Sequence, residues 1–300
     1  MKITTKDQRG IGHVLIPLAV VVVALIGAIG YAVATNQPAK KPAAHVPTDT
    51  EIAQSIAAKW STALRPVWTA DGRGSWTPIP YNVPPADCPS KLVFNSPTPQ
   101  LKKATSILYP GQNHTTPTSP VYQSSGGFRF DTSANTDISV TMPFNGYVFR
   151  GNRTLANGEN QYAFDIANAC GVMVRVGHLR TLSPALQAIA DTLPKATEGN
   201  TQFTTITPVV GFNSGDKLAT SVGLATTKPR NVMFDFGVYD LRTPNVASRT
   251  PAYKTAHADT AELSYHGLCW LSLLSAKDKT LVKSLPAADS ASGKTSDYCK

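Results

Sequence analysis

The feature that most constrains this chain is an uncharged, mostly apolar run at residues 11–34. At about 1.5 Å per residue, a helix of this length measures roughly 36 Å, which is enough to cross a hydrocarbon layer of about 30 Å. Inside lipid, such a segment satisfies its backbone polar groups only as a helix. Residues 35–300 are too polar to enter the bilayer. The run therefore predicts a single-pass transmembrane anchor with the bulk of the chain on one side of a membrane.

The flanking charges predict the orientation of this anchor. Basic side chains lie on both sides of the run, namely Lys2, Lys6 and Arg9 before it and Lys40 and Lys41 after it. The excess of basic residues before the run favours a cytoplasmic tail at residues 1–10 and an extracytoplasmic bulk. A cleaved signal peptide is the alternative, because Ala-Val-Ala at 32–34 has the form of a cleavage site. The run exceeds the roughly 7–15 apolar residues of a signal peptide, which favours a retained anchor.

Cysteine usage agrees with export. The chain has four cysteines, Cys88, Cys170, Cys269 and Cys299, all after the apolar run. In an oxidising compartment they allow two disulfides with three alternative pairings. Short separation favours Cys269–Cys299, which leaves Cys88 with Cys170. Zinc binding is disfavoured, since no paired C-x-x-C spacing is present.

The charge pattern excludes a nucleic-acid partner. The net charge is +9, but charged residues make up only 16% of the chain and the basic ones are dispersed. Binding to consecutive phosphates needs clustered Lys and Arg. Dispersed positive charge outside a cell favours solubility and weak attraction to anionic envelope polymers.

Residues 35–120 are predicted to contain one helix between two proline-rich segments. Residues 35–47 form a Pro/Lys linker that is stiff and extended. Apolar residues at every fourth position then predict an amphipathic helix over 50–65, and a proline-rich wrap follows, so that 48–120 form one segment.

Residues 121–245 change to short alternating strands separated by Asn-Gly and Ser-Gly-Asp turns, with one helix opened by Ser183-Pro184 and closed before Pro194. This pattern predicts a mainly β domain that closes as an antiparallel sandwich or barrel. Residues 255–300 predict a helical C-terminal extension held by a disulfide, with a short helix over 277–285.

Four segments of the β region, taken in order, resemble lysostaphin/LytM-like peptidoglycan metalloendopeptidases. The segments are 138–148 (ISVTMPFNGYV), 176–179 (VGHL), 210–223 with its Gly-rich turn, and 232–238 (VMFDFGV). The resemblance covers about 120 residues, less than half of the chain. It implies a LytM-like β-domain and an envelope setting.

The zinc ligands of that family are mostly missing here. In the early H-x-x-x-D motif, Gly127 replaces the histidine and Asp131 is kept, while Met233 and Asp235 replace both histidines of the late H-x-H motif. His178 is the one catalytic-type histidine retained. A catalytic zinc site needs three protein ligands, mostly imidazole nitrogens, so we expect no cofactor and no catalysis. If the chain were active, His178 would be the catalytic residue and Asp131 and Asp235 the metal ligands.

The sequence thus predicts a non-catalytic, membrane-anchored extracytoplasmic envelope protein. The resemblance implies that it binds peptidoglycan or regulates a cell-wall hydrolase, since inactive members of that family do so. A divergent metal-dependent endopeptidase is the first alternative. A structural or adhesion protein without a ligand groove is the second, because one fold hosts many functions.

Overall fold

The computed structural model describes residues 67–79, 85–88, 94, 98–115, 120–132, 137–225 and 232–299, all within the compact unit Pro47–Lys300. The predicted anchor at 11–34, the linker at 35–47 and the amphipathic helix at 50–65 lie outside the described residues. Among the residues that are described, we find no helix that is both long enough and apolar enough to cross a membrane.

Strands dominate the described part of the chain. They are β1 (Val67–Ala70), β2 (Trp76–Ile79), β3 (Ser106–Leu108), β4 (Gln112–Thr115), β5 (Pro120–Gln123), β6 (Gly126–Arg129), β7 (Val140–Thr141), β8 (Gly146–Ala156), β9 (Glu159–Ala167), β10 (Val172–Leu182), β11 (Thr204–Phe212), β12 (Lys217–Val222) and β13 (Met233–Asp240).

Within the described residues, nine of these strands form one sheet in the order β11-β8-β9-β10-β13-β6-β3, and β12 joins β10 to β7. Every strand pairing in this sheet is antiparallel. Two further ribbons, β1-β2 and β4-β5, lie outside it. The predicted fold class is confirmed at this level: the protein is mainly β, with antiparallel sheets.

The central sheet branches at β10. The first half of this strand, from Val172 to Gly177, pairs with β13, whereas Leu179 to Leu182 pair with β12. The pairing of β10 with β9 shifts register between Val176 and Leu179. A bulge of this kind re-aims side chains and bends the strand.

Both faces of the sheet are buried over part of their area. Alternate residues such as Val148, Phe164 and Phe236 point into the main core. Their neighbours on the opposite face, such as Phe149 and Tyr239, pack under the two tryptophans of the β1-β2 ribbon. Because successive strand residues point to opposite faces, the second face also carries the polar side chains described below.

The helices of the described part are short. They are α1 (Pro184–Ala190), α2 (Pro251–Ala256), α3 (Ala261–Ser264) and α4 (Ala276–Ser284). The predicted start of α1 is confirmed, because the Ser183 side chain accepts a hydrogen bond from the backbone N–H of Leu186 and Pro184 occupies the first turn. Thr250 and Ser275 cap α2 and α4 in the same way.

Two disulfides join distant segments. Cys88 pairs with Cys170 and Cys269 pairs with Cys299, which are the predicted pairings. Among the described residues no cysteine is free. The second bridge fixes the end of the chain to the segment that carries the fully buried Trp270.

The structure differs from the sequence-based division at two places. β3 belongs to the predicted wrap but extends the central sheet beside β6, because Ile107 and Leu108 are apolar enough to bury there. The helix predicted over 277–285 is present as α4, but the extension as a whole is less helical than predicted, and the described residues 285–299 after α4 contain turns and no helix. Pro286 and the polar Ser/Gly stretch disfavour helix in that segment.

Removing the Cys269–Cys299 bridge should destabilise the protein. The bridge closes a loop with a sequence separation of 30, and such closures stabilise folded chains by about 2–5 kcal/mol. We expect the Cys269→Ala/Cys299→Ala double variant to lose stability in this range, measured by urea denaturation. Wild-type protein under reducing conditions serves as the reference and should lose at least as much. An unchanged unfolding midpoint in the double variant would contradict this assignment.

Candidate functional site

A cleft of about 820 Å³ opens on the second face of the central sheet. Its floor is formed by β8, β9, β10 and β13, and its walls come from the 201–203 loop and from the segment around α3. Ligand sites in proteins occupy concave pockets of about 300–1,000 Å³ with a few fixed polar groups. This cleft is therefore the candidate site.

Three charged residues form a row across the floor. The strand register places Arg150 of β8 opposite Asp165 of β9, and Asp165 opposite Arg175 of β10. Arg150 donates from Nε and Nη2 to Oδ2 of Asp165, at 2.9 and 2.6 Å. Arg175 donates from Nε to Oδ1 at 2.7 Å and from Nη2 to Oδ2 at 2.8 Å. One buried carboxylate thus fixes two guanidinium groups on adjacent strands.

The burial of this row decides its electrostatics. The Asp165 side chain has no exposed surface, while those of Arg150 and Arg175 retain 14% and 19% of theirs. Desolvation raises the pKa of Asp165, but the charges and hydrogen bonds of Arg175 and Arg150 outweigh it, and the pKa lies below its usual value. The carboxylate therefore stays ionised, and both arginines stay charged beside it.

Aromatic rings hold the guanidinium groups from the sides. Arg150 Cζ lies 4.7 Å from the ring centroid of Trp76, and Arg175 Cζ lies 3.9 Å from that of Phe203. These distances suit cation–π contact. The Asn152 amide donates to the backbone carbonyls of Asn200 and Gln202, which fixes the loop that carries Phe203.

Glu262 and Tyr239 complete this end of the cleft. Glu262 Oε1 lies 2.6 Å from Arg150 Nη2, and its side chain is 32% exposed. The Tyr239 hydroxyl lies 3.3 Å from Ser124 Oγ. Burial raises the pKa of Tyr239 to about 12, so the phenol stays neutral at physiological pH.

His178 lies at the bulge where β10 changes partner. Its backbone has φ of 56°, in the left-handed region that a non-glycine residue rarely adopts. Nε2 of its imidazole lies 3.4 Å from Asp235 Oδ2, and both side chains line the cleft. Such strained positions persist only where the surrounding structure holds them, and they cluster at functional sites. The structure thus brings two of the three sequence-predicted candidates together.

Asp131 lies apart from them. Arg129 donates to both of its carboxylate oxygens, at 2.9 and 3.1 Å, and Asp131 does not line the cleft. The residue opposite Asp235 is Gly127, and Asp131 lies four positions further along, which is about 13 Å in an extended strand. The conditional ligand set of Asp131, Asp235 and His178 is therefore not assembled.

The residues present do not fit the zinc ion that the resembling family holds. Within the described residues, no group of three or more His, Cys, Asp or Glu side chains is placed to hold a metal. Gly127, at the position where the resemblance would require a histidine, has no room for a side chain, because a Cβ there would lie 2.5 Å from the Phe234 carbonyl oxygen. His257 stacks on Tyr122, and both ring nitrogens of buried His266 contact backbone carbonyls.

Comparisons of the chain with protein-family models, with curated proteins and with solved structures gave no match.

Sequence reasoning missed Arg150, Asp165 and Arg175. The predicted alternation of strands over 121–245 places Asp165 and Arg175 at polar positions, which is typical of a solvated face. Opposite charges at the polar positions of neighbouring strands were the available signal. The Asn157-Gly158 turn sets the register that pairs Arg150 with Asp165, whereas the register that pairs Asp165 with Arg175 is not visible in the sequence.

Replacing the buried carboxylate should destabilise the protein in a pH-dependent way. Asp165→Asn leaves two guanidinium groups without their counter-charge, and breaking a buried ion pair costs about 3–5 kcal/mol. Because the folded pKa is lowered, this stabilisation is present above the unfolded pKa of about 4 and is lost as pH falls through the folded pKa. Urea denaturation of wild type and variant from pH 7 to pH 2 measures the difference.

We expect the wild-type advantage to be full at pH 7 and to shrink below pH 4. Asp191→Asn, on an exposed aspartate at the end of α1, is the matched control and should change stability by less than about 0.5 kcal/mol. A difference between wild type and Asp165→Asn that does not vary with pH would contradict the ion-pair argument.

A histidine placed at position 127, where the resemblance would require one, should not create a metal site. Gly127→His forces a Cβ against the Phe234 carbonyl, so we expect a lower melting temperature and no stoichiometric zinc by metal analysis. Thr280→His, at an exposed position of α4, controls for adventitious binding to an added imidazole. One tightly bound zinc per chain in the Gly127 variant, with an unchanged melting temperature, would contradict the predicted clash between the new Cβ and the Phe234 carbonyl oxygen.

Proposed function

We propose that this protein is a non-catalytic, membrane-anchored envelope protein whose extracytoplasmic β-domain is LytM-like and binds cell-wall polymer in the cleft. Its membrane attachment rests on the apolar run at 11–34 and its export on the flanking charges. The two disulfides support export, because such bonds persist in oxidising compartments.

The observation that carries the proposal is the cleft floor. Arg150 and Arg175 are held rigid by Asp165, and they lie beside the aromatic ring of Phe203 in an open depression. Fixed hydrogen-bond donors next to aromatic surface are the groups that bind polar polymers with little ordering cost.

Three of the positions that carry the family resemblance, Gly177, His178 and Asp235, line this cleft. Gly127 and Gly177 are the register partners of Asp235 on its two sides, and His178 follows Gly177. Glycine on both sides of Asp235 leaves that row without two further metal-ligating side chains. The donor set therefore favours binding over a divergent metal-dependent endopeptidase. Regulation of a cell-wall hydrolase through the same face is compatible with the proposal.

Blocking the cleft should abolish retention on peptidoglycan. Thr201 is exposed and lines the cleft, so Thr201→Trp places an indole at its mouth without disturbing the buried row. We expect full-length wild-type protein in detergent to sediment with purified sacculi and Thr201→Trp to lose at least about tenfold in bound fraction. A tenfold loss corresponds to about 1.4 kcal/mol of binding free energy.

Thr280→Trp is the matched control, because it adds the same side chain at an exposed position of α4 away from the cleft. It should sediment like the wild type. Equal sedimentation of all three proteins would place any wall binding outside the cleft. Sedimentation of none of them would contradict the proposed function.

A further inference from the structure

We propose that Arg175 and Arg150 bind the carboxylate of a short peptide in the cleft. This carboxylate is the ligand group for the proposed wall-binding function, on which this inference rests. The ligand class is a peptide with a free carboxyl terminus, such as the peptide part of a wall polymer. The proposal depends on the unused donors of the two arginines, their rigidity and the charge balance of the cleft.

Each guanidinium retains a donor for a ligand. The contacts to Asp165 and Glu262 engage Nε and Nη2 of Arg150, and those to Asp165 engage Nε and Nη2 of Arg175. Within the part of the chain that the structure describes, no hydrogen bond engages Nη1 of either residue. Both side chains line the open cleft, so these donors are available to a group bound there.

The two guanidinium groups are also held in place before any ligand arrives. Asp165 anchors both, and Phe203 lies 5.6 Å from Arg150 Cζ and 3.9 Å from Arg175 Cζ. A planar guanidinium in a fixed orientation matches the geometry of a carboxylate and loses little entropy on binding it. A buried ion cluster of this kind adds little to stability compared with apolar packing, so its stability contribution alone does not account for it.

The chain itself shows a carboxylate at this position. Glu262, on the cleft wall, places Oε1 2.6 Å from Arg150 Nη2 with a side chain that is one-third exposed. Arg150 therefore accommodates a second carboxylate from the cleft wall, at Nη2 and not at the free Nη1. Arg175 has no second carboxylate partner among the described residues, which makes it the primary contact for a ligand.

The charge balance of the cleft favours a peptide over an anionic polymer. The cleft lining includes two arginines but three acids, Asp235, Asp259 and Glu262. Repeated phosphates would meet these acids and be repelled. A short peptide that carries one carboxylate and one amino group can place its carboxylate on Arg175 and its amine near the acids. The chemistry therefore points to a zwitterionic peptide.

The experiment compares an acid with its amide on the same protein. Calorimetric titration of full-length protein in detergent uses a lysyl-D-alanyl-D-alanine peptide with a free carboxyl terminus, the same peptide as its C-terminal amide, and inorganic phosphate. Hydrogen bonds to charged groups predict that the acid binds at least about tenfold tighter than the amide. Phosphate alone should not compete with the acid at equal concentration.

Variants test which groups are responsible. Arg175→Lys keeps a positive charge beside Asp165 but removes the planar guanidinium with its free Nη1 donor, so the preference for acid over amide should fall to near unity. Glu262→Gln removes the internal competitor and should raise the affinity for the acid severalfold. Arg150→Lys tests the second arginine in the same way. The acid–amide comparison on the wild type remains a test even if Arg175→Lys fails to fold.

The outcomes separate this inference from the proposed function. Sedimentation with sacculi together with equal affinity for acid and amide would overturn the carboxylate site and leave wall binding intact. A preference for the acid without any sedimentation would uphold the site and overturn wall binding. Equal binding of phosphate and acid would overturn the peptide assignment in favour of an anionic polymer.

Discussion

The cleft depends on the ion cluster of Asp165 with Arg150 and Arg175. Placing a carboxylate with no exposed surface in a sheet is costly, and only close charge-assisted hydrogen bonds from both sides offset that cost. The contacts also require β8, β9 and β10 to keep one register, since a shift by one residue would turn each charged side chain toward the apolar core. The polar floor therefore forms only when the three strands pair in this register.

A second constraint follows at the next row of the sheet. Asp235 lies between Gly177 and Gly127, and a Cβ on Gly177 would contact that of Asp235 at 3.1 Å. The missing side chains let β6 and β10 lie close to Asp235 and leave the cleft open above it. His178 follows at the bulge, where β10 leaves β13 for β12. With glycine at both register partners of Asp235, that row has no further side chain from which a metal could be held.

Much of the fold could be predicted from the sequence, because its signals are local. Alternation predicted the antiparallel strands, and the Ser183-Pro184 pair predicted the start of α1. The disulfide pairing followed from sequence separation. The site could be predicted only in part: motif order identified His178 and Asp235, whereas Asp165 and Arg175 meet through a β9–β10 pairing register that no local pattern encodes. Motif spacing grouped Asp131 with the site, but Asp131 lies beyond the end of β6 and outside the cleft lining.

The C-terminal extension is part of the site and not an appendage to it. Glu262 reaches Arg150 from α3, and the ring nitrogens of His266 contact the backbone of Gly74 and Asp240, which ties the β1-β2 turn to the end of β13. The hydroxyl of Tyr298, beside the Cys269–Cys299 bridge, lies 3.3 Å from that of Tyr122 on the cleft rim. One wall of the cleft is thus built from residues that follow the β-domain in sequence. The bridge fixes the neighbour of Tyr298, and Tyr298 is also held by the Ser264 carbonyl and the Tyr253 hydroxyl, so the disulfide and these hydrogen bonds together position the rim.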